Sequence, residues 1–371
     1  MATTGRGGPV ALVGVGLIGG SLGLALRAAD SHREVRGVDP GTGATAAALD
    51  RGAITVASPD LGSAVRGAEI VVVCAPVGDI PAMAREVLAI ADDDAVVTDV
   101  GSAKSGVLAS LTADERSRFC GGHPVAGGER SGVAHARADL FDGCTWFLTP
   151  TEETRPGLLQ RIHGMVVSVG AVPVAVDADV HDHLMALVSH LPHVMASALI
   201  RQAAATAPQG REALRSAGPS FRDLTRVAGA NPRLWADILL ANRDAVLAET
   251  ARHRTELAEV EDALGRGDRD WLESFFGSAA DGRARLMQEE PSAGTGGVVR
   301  VVVELPNRPG VLSEVATALG HAHINIEDLH LSPARPDEPF GSLELDIAGD
   351  DAARRATDLI TERGFRVLPG P

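Results

Sequence analysis

From residue 9 to about residue 150, short apolar runs rich in β-branched side chains alternate with stretches of helical periodicity. That alternation predicts a parallel sheet covered by helices. The strands it predicts are 10–13, 35–38, 54–56, 70–74, 95–99 and 145–149. One more helix and an apolar strand at 171–176 follow, expected either to extend the sheet or to lead out of it. Past Asp177 the pattern changes: to about Glu290 the chain is rich in Ala, Leu and Arg, keeps a helical repeat and has few strand-like runs, which predicts an all-helical domain. Residues 291–297, Pro-Ser-Ala-Gly-Thr-Gly-Gly, read as a linker. Beyond it, strands at 298–305, 324–331, 342–347 and 365–368 and helices near 309–320 and 350–363 follow the order βαββαβ, a ferredoxin-like arrangement. The expected domains are therefore an α/β domain over 1–176, an all-α domain over 177–290 and, after the linker, a ferredoxin-like domain over 298–371.

Composition narrows the chemistry. The 371 residues include 49 acidic and 34 basic side chains, a net charge of −15. Nucleic acid and anionic membranes both require a cationic face, so neither is an expected partner and a small-molecule substrate is. Cys74, Cys120 and Cys144 are widely spaced and form neither a disulfide framework nor a CxxC metal site, which fits a reducing cytoplasm. The N-terminal stretch lacks the apolar core of a signal peptide, and no run of ~20 apolar residues is evident, so neither export nor a membrane span is expected. There is no Tyr, which excludes a Tyr-Lys catalytic pair. Lys104 is the single Lys, Arg supplying the other 33 of the 34 basic residues, so Schiff-base chemistry would have to use it.

The first strand runs directly into Gly14-Val15-Gly16-Leu17-Ile18-Gly19-Gly20-Ser21, and a helical pattern follows. In that setting Gly14 permits a tight turn, Gly16 admits a pyrophosphate close to the backbone, and Gly19 lets helix and strand pack closely, with the helix N-terminus toward the phosphates. Asp39 ends the second strand 20 residues after Gly19, where a carboxylate accepts hydrogen bonds from ribose hydroxyls. No Arg follows in Pro40-Gly41-Thr42, so NAD is favoured over NADP. The first domain is thus expected to be a Rossmann-type dinucleotide-binding domain. Ala75-Pro76 after the fourth strand and Gly101 after the fifth are further expected cofactor contacts, although any β–α loop would look similar.

Ser102 follows the fifth strand, at the edge of the sheet where such folds bind ligands, and Lys104 lies in the same segment. His123 opens a Gly-rich stretch, His-Pro-Val-Ala-Gly-Gly-Glu-Arg-Ser-Gly at 123–132, and has the right titration range for proton transfer; the alternative is a histidine that only holds the loop. His181, His183, His190 and His193 invite a metal reading, but no Cys or HExxH pattern accompanies them and Pro192 is expected to interrupt the helix, so anion binding or a packed histidine face is preferred. Asp223 and Arg226 lie one helical turn apart, either as a simple ion pair or as a carboxylate clamp held by Asp223.

In order along the chain, GVGLIGGS (14–21), DVGSAK (99–104), HPVAGGERSG (123–132), SHLPH (189–193), FRDLTR (221–226) and NPRLWADI (231–238) resemble the prephenate/arogenate dehydrogenases of tyrosine biosynthesis. The resemblance implies a Rossmann domain, an interlocked helical dimerisation domain and hence a homodimer, and NAD(P)-dependent oxidative decarboxylation of prephenate or arogenate. It implies that His123 is the base that takes the ring 4-hydroxyl proton and that Ser102 bonds that hydroxyl. Arg226 corresponds to the arginine that binds a substrate carboxylate, and His193 to a histidine near substrate and cofactor. His190, Glu129 and Lys104 are the other expected substrate contacts, with Asp223 and Trp235 in supporting positions. Gly128 departs from the polar side chain many members carry there, which removes a possible substrate contact. Prephenate with NAD is the expected pair, arogenate the close rival, and a non-catalytic NAD and amino-acid sensor the rival of another class.

The final domain, with Leu-Pro-Asn-Arg-Pro-Gly-Val-Leu at 305–312 and His-Ile-Asn-Ile-Glu at 323–327, resembles an ACT regulatory domain. That resemblance implies an aromatic amino-acid effector, tyrosine first, held by Asn307, Gly310, Val311 and Asn325. The alternative is a domain that only assists dimerisation.

Overall fold

The computed structural model of the chain describes residues 8–127, 130–205, 214–288, 298–306, 308–332 and 340–368. They fall into two compact units, Met1–Asp182 with Ala230–Ala241 and Val298–Pro371, and His183–Gly229 with Asn242–Gly297. In the first unit, β1 (Val10–Val13), β2 (Val35–Val38), β3 (Val56–Ala57), β4 (Ile70–Val73), β5 (Val96–Asp99), β6 (Phe119–Pro124), β7 (Thr145–Thr149) and β8 (Val172–Ala175) form one sheet in the order β3-β2-β1-β4-β5-β6-β7-β8. The central strands, VALV, IVVV and VVTD, are buried along their whole length, as strands covered on both faces must be. Helices α1 (Leu17–Ala29), α2 (Ala44–Asp50), α3 (Leu61–Val65), α4 (Ile80–Ile90), α5 (Ser105–Ser110), α6 (Ala113–Ser117) and α7 (Pro156–Ser168) connect them.

Two expectations change here and one alternative is decided. The sheet is mixed, because β7 runs antiparallel to β6. The strand at 171–176 extends the sheet as its edge, parallel to β7. β6 went unpredicted because Phe-Cys-Gly-Gly-His-Pro lacks an alternating β-branched pattern; its glycines are dictated by crowding, since a Cβ at Gly122 would lie 2.6 Å from the Asp99 carbonyl oxygen.

Helix α8 (Ala178–Ala205) runs 28 residues and includes a π-helical turn at Ala186–His190. The expected break at Pro192 does not occur. The wider turn, in which Leu191 N–H bonds to the Ala186 carbonyl five residues back, accommodates a residue that has no N–H to give. By length and composition α8 is apolar enough to cross a membrane, a property the sequence reading missed. It also carries buried His181, Asp182 and His190, each hydrogen-bonded within the protein, as suits a helix that builds polar sites. Helices α9 (Pro219–Thr225), α10 (Pro232–Ala241), α11 (Arg243–Arg266) and α12 (Arg269–Gln288) follow. Of these, α10 belongs to the first unit, where Trp235 and Ile238 pack against Val77 and Ala103.

The C-terminal segment consists of β9 (Val298–Pro306), α13 (Val311–His321), β10 (Asp328–Ser332), β11 (Phe340–Ala348), α14 (Asp350–Glu362) and β12 (Arg366–Leu368). Its antiparallel sheet has the order β10-β11-β9-β12, the predicted ferredoxin-like topology. Strand β10 starts four residues later than expected, because the backbone at Ile324–Ile326 turns away from the ladder: His323 is left-handed (φ 54°) and the Ile326 carbonyl accepts from His163 Nε2 at 3.1 Å. Burial pushes the His163 pKa down, so the ring stays neutral with its proton on Nε2.

This segment is part of the first unit, and its apolar interior is continuous with that of the α/β sheet. Ser313 Oγ donates to the Thr151 carbonyl (3.0 Å) and His321 pairs with Asp177 (3.3 Å). A Cβ on Gly320 would overlap the carbonyl oxygen of Ala175 in β8. Gly320→Ala is therefore expected to cost about 1–3 kcal/mol, read from a urea melt. The exposed mid-helix Gly277 of α12 has open space around it, and Gly277→Ala should instead stabilise by up to about 1 kcal/mol.

Candidate active site

The glycine turn after β1 has the geometry its sequence demands. Gly14 has φ 101°, and a Cβ there would lie 2.5 Å from the Cys74 carbonyl oxygen; one on Gly19 would overlap the Gly14 carbonyl oxygen. At Gly16 nothing lies within 4 Å of a built Cβ. Gly16 also begins α1 with no side-chain cap, so the first-turn N–H groups of the helix have no side-chain acceptor. Open space in front of uncapped amides fits a pyrophosphate. Asp39 is held at the tip of β2 by Val15 N–H (2.9 Å, to Oδ2) and Gly41 N–H (2.7 Å, to Oδ1). A carboxylate fixed there accepts from ribose hydroxyls and repels a 2′-phosphate. The Val15 side chain is core, and Leu17 and Ile18 pack against that core. Ala75 is half-buried and Pro76 exposed in the loop after β4.

His123 sits near the carboxyl end of β6, opposite Phe147 of β7, rather than in a loop. It is half-buried, and its Nδ1 lies 2.9 Å from Nε2 of His181. His181 is fully buried, edge-on to His123 and Phe147, and its Nδ1 lies 2.8 Å from Asp182 Oδ1. The Asp182 carboxylate also accepts from Lys104 N–H (2.8 Å) and Ser105 N–H (2.9 Å), and so grips the loop that carries Ser102. Burial pushes the His181 pKa down; for Asp182 burial acts upward but is outweighed by the hydrogen bonds from His181, Ser105 and Lys104, and its pKa is lowered. The sequence reading weighed His181 only as one of a group of histidines, for metal, anion binding or packing, and passed over Asp182. The adjacent His-Asp pair was the available signal.

Two expected contacts are corrected. Lys104 does not face a substrate: it is fully buried, its ammonium bonded to the Asp99 carboxylate and donating to the Gly122 carbonyl at 2.8 Å. Gly101 is also buried, and its N–H goes to Asp99 Oδ2 at 2.9 Å. Buried charge has to be paired, and Lys104 with Asp99 ties β5 to β6 beneath the site. Trp235 packs against Val77 and Ala103, which lie in the loops after β4 and β5.

In the second unit, His190 is buried with Nδ1 3.2 Å from Asn242 Nδ2, and the His193 Nδ1 proton goes to the Ser189 carbonyl at 2.9 Å. Arg226 and Asp223 are both exposed and are not ion-paired to each other, so the simple i,i+3 bridge does not form. Glu129, Gly128 and Asn307 lie outside the described residues. Gly310 is left-handed (φ 81°) at the start of α13, Val311 is buried, and Asn325 Nδ2 donates to Glu327 at 2.7 Å.

A dinucleotide turn and a backed imidazole at the same edge of one sheet define the class, a nucleotide-dependent dehydrogenase. Comparison with known proteins specifies it. The family models for the prephenate dehydrogenase nucleotide-binding domain, the prephenate dehydrogenase dimerization domain and the ACT domain match residues 22–175, 177–278 and 299–358. The prephenate dehydrogenase of Bacillus subtilis is 30% identical over 357 residues, 95% of this chain and 96% of that protein. Among solved structures, prephenate dehydrogenase from A. aeolicus in complex with hydroxyphenyl propionate and NAD+ superposes with a TM-score of 0.71 at 28% identity, covering 77% of this chain and 100% of the other. Synechocystis arogenate dehydrogenase gives 0.67 at 28%, covering 75% and 99%. The chain belongs to the prephenate dehydrogenase family and carries a C-terminal ACT domain.

Proposed function

We propose that the chain catalyses the NAD-dependent oxidative decarboxylation of prephenate to 4-hydroxyphenylpyruvate and CO2. The observation that carries this is His123, held by a buried partner at the carboxyl edge of the sheet onto which the Gly14–Gly19 turn also opens. NAD+, when bound, supplies the acceptor for the hydride that leaves ring C4. His123 takes the 4-hydroxyl proton as that carbon becomes carbonyl-like. The ring carboxylate departs as CO2, the electrons of the broken carbon–carbon bond aromatise the ring and leave a phenolate, and His123 returns its proton to that oxygen to give the phenol. Aromatisation supplies much of the driving force, so the protein's task is positioning and charge balance. Ser102, in the loop gripped by Asp182, is the proposed hydrogen-bond partner of the hydroxyl.

The substrate is a dianion on a chain of net charge −15, so it requires local cations. Arg226, exposed and not paired with Asp223, is the proposed carboxylate ligand, with His193, His190 and Glu129 as further substrate contacts. Exposed Leu187, Val188, Leu247, Leu264 and Phe276 in the helical unit support a homodimer. The free cysteines support a cytoplasmic location. The ACT domain supports feedback by an aromatic amino acid.

Arogenate is the second reading, favoured by the comparable likeness to the Synechocystis enzyme. The test follows NADH or NADPH formation with prephenate and arogenate separately, each with NAD and NADP, with and without tyrosine. Prephenate with NAD should give the highest kcat/KM, and tyrosine should lower it. A higher value with arogenate replaces the substrate assignment, and preference for NADP overturns the role of Asp39.

A further inference from the structure

We propose that Asp182 and His181 are positioning residues that lock His123 into the Nδ1–H tautomer, making Nε2 its basic nitrogen, and that Asp182 sets the Ser102 loop in register with that base. The proposal rests on the proposed role of His123 and specifies how the base is prepared.

The assignment follows from donor and acceptor logic along the chain of contacts. A carboxylate only accepts, so the 2.8 Å contact from His181 Nδ1 to Asp182 Oδ1 places a proton on His181 Nδ1. His181 is fully buried and kept neutral by that burial, so its Nε2 carries a lone pair. That nitrogen lies 2.9 Å from His123 Nδ1, and two lone pairs cannot face each other at that distance. His123 Nδ1 therefore donates, and the ring's unprotonated nitrogen is Nε2. When Nε2 takes a proton, the resulting imidazolium keeps its Nδ1–H bond to His181, with the Asp182 carboxylate behind it.

The same carboxylate holds the other half of the site. Asp182 accepts from the backbone N–H groups of Lys104 and Ser105, immediately after Ser102. A single side chain thus fixes both the ring behind the base and the loop bearing the hydroxyl. The charged and titratable groups facing His181 are Asp182 on its own helix, Lys104 and Asp99 from β5 and the loop after it, and His123 from β6. The Lys104 and Asp99 charges are bonded to each other, which leaves Asp182 as the anion that backs the relay.

The pH dependence has a definite sign. An acceptor backed by an anion stabilises the imidazolium that forms when His123 takes a proton. Removing the acceptor removes that stabilisation, so the acid limb of the kcat profile moves to lower pH. His181→Met removes the acceptor, whereas His181→Gln retains an oxygen able to accept from His123 Nδ1.

The experiment measures kcat, KM and the pH profile of the full-length holoenzyme for both variants, together with 15N chemical shifts of the histidine ring nitrogens in wild type. With His181→Met, kcat at pH 8 should fall roughly 10–100-fold and the acid limb should move down by about 0.5–1 unit, while KM changes less than about 3-fold. His181→Gln should recover most of the lost kcat. Wild-type His123 should show the Nδ1–H tautomer, a readout that stands whether or not the Met variant folds. Equal losses in both variants with no movement of the acid limb, or an Nε2–H tautomer at His123, overturns the proposal. Wild-type turnover in His123→Asn would instead overturn the base assignment itself, so the two failures are distinguishable.

Discussion

His123→Asn is expected to bind NAD+ and substrate with near wild-type affinity and to lose about 10^2–10^4-fold in kcat at neutral pH. The asparagine amide can still hydrogen-bond to His181 Nε2, so the strand and its neighbours have no reason to rearrange. It cannot take up a proton in this pH range. The barrier loses the concerted transfer from the 4-hydroxyl, while ring aromatisation and hydride transfer remain possible, which is why residual turnover is expected rather than none. NADH formation followed at 340 nm gives the rate, and quenching of Trp fluorescence gives NAD+ affinity without a tyrosine background, since the chain has no Tyr. A kcat within a few-fold of wild type removes His123 as the base.

The parts of this site that were legible in the sequence are those where the backbone does the chemistry. Gly14, Gly16 and Gly19 each answer a local steric demand, so their spacing alone announces the turn, and Asp39 follows at a distance set by one βαβ unit. His123 was visible by residue type but was assigned to a loop, because β6 is built from glycines whose need arises from Asp99, Thr98 and Trp146, none of them adjacent in sequence. Lys104 was misread for the same reason. A lone lysine beside Ser102 looks available until the sheet closes around it and supplies Asp99. His181 and Asp182 were hidden by company: among several histidines on one helical stretch, periodicity does not reveal which one faces β6. Elements with a strong period were found to within a few residues, as at 10–13, 35–38 and 145–149, which are β1, β2 and β7.

Lys104→Met should be the most destabilising of these substitutions, by about 3–5 kcal/mol. It leaves the Asp99 carboxylate fully buried with only the N–H groups of Gly101 (2.9 Å) and Gly122 (3.1 Å) to balance it, and strips the Gly122 carbonyl of its ammonium donor. Most of that cost is the stranded charge. Adding Asp99→Asn should therefore recover part of the loss, because a neutral amide oxygen still accepts from one of the two glycines. Urea unfolding followed by Trp fluorescence checks both variants, Trp146 being fully buried on β7 next to this strand pair. A single variant within about 1 kcal/mol of wild type would show that the pair is replaceable by packing alone.

The seam between the ACT domain and the nucleotide-binding sheet has a kinetic meaning. Gly320 lies against the last residue of β8, Asp177 two residues later pairs with His321, and four residues beyond that the same chain reaches His181. With one apolar interior shared across this seam, the ACT domain and β8 are expected to open together as a single foldon, which hydrogen exchange of their amide protons checks. A small molecule that tightens α13 is expected to slow exchange of the β8 amide protons as well, since a continuous stretch of backbone, with no hinge between, joins that strand to the helix carrying His181.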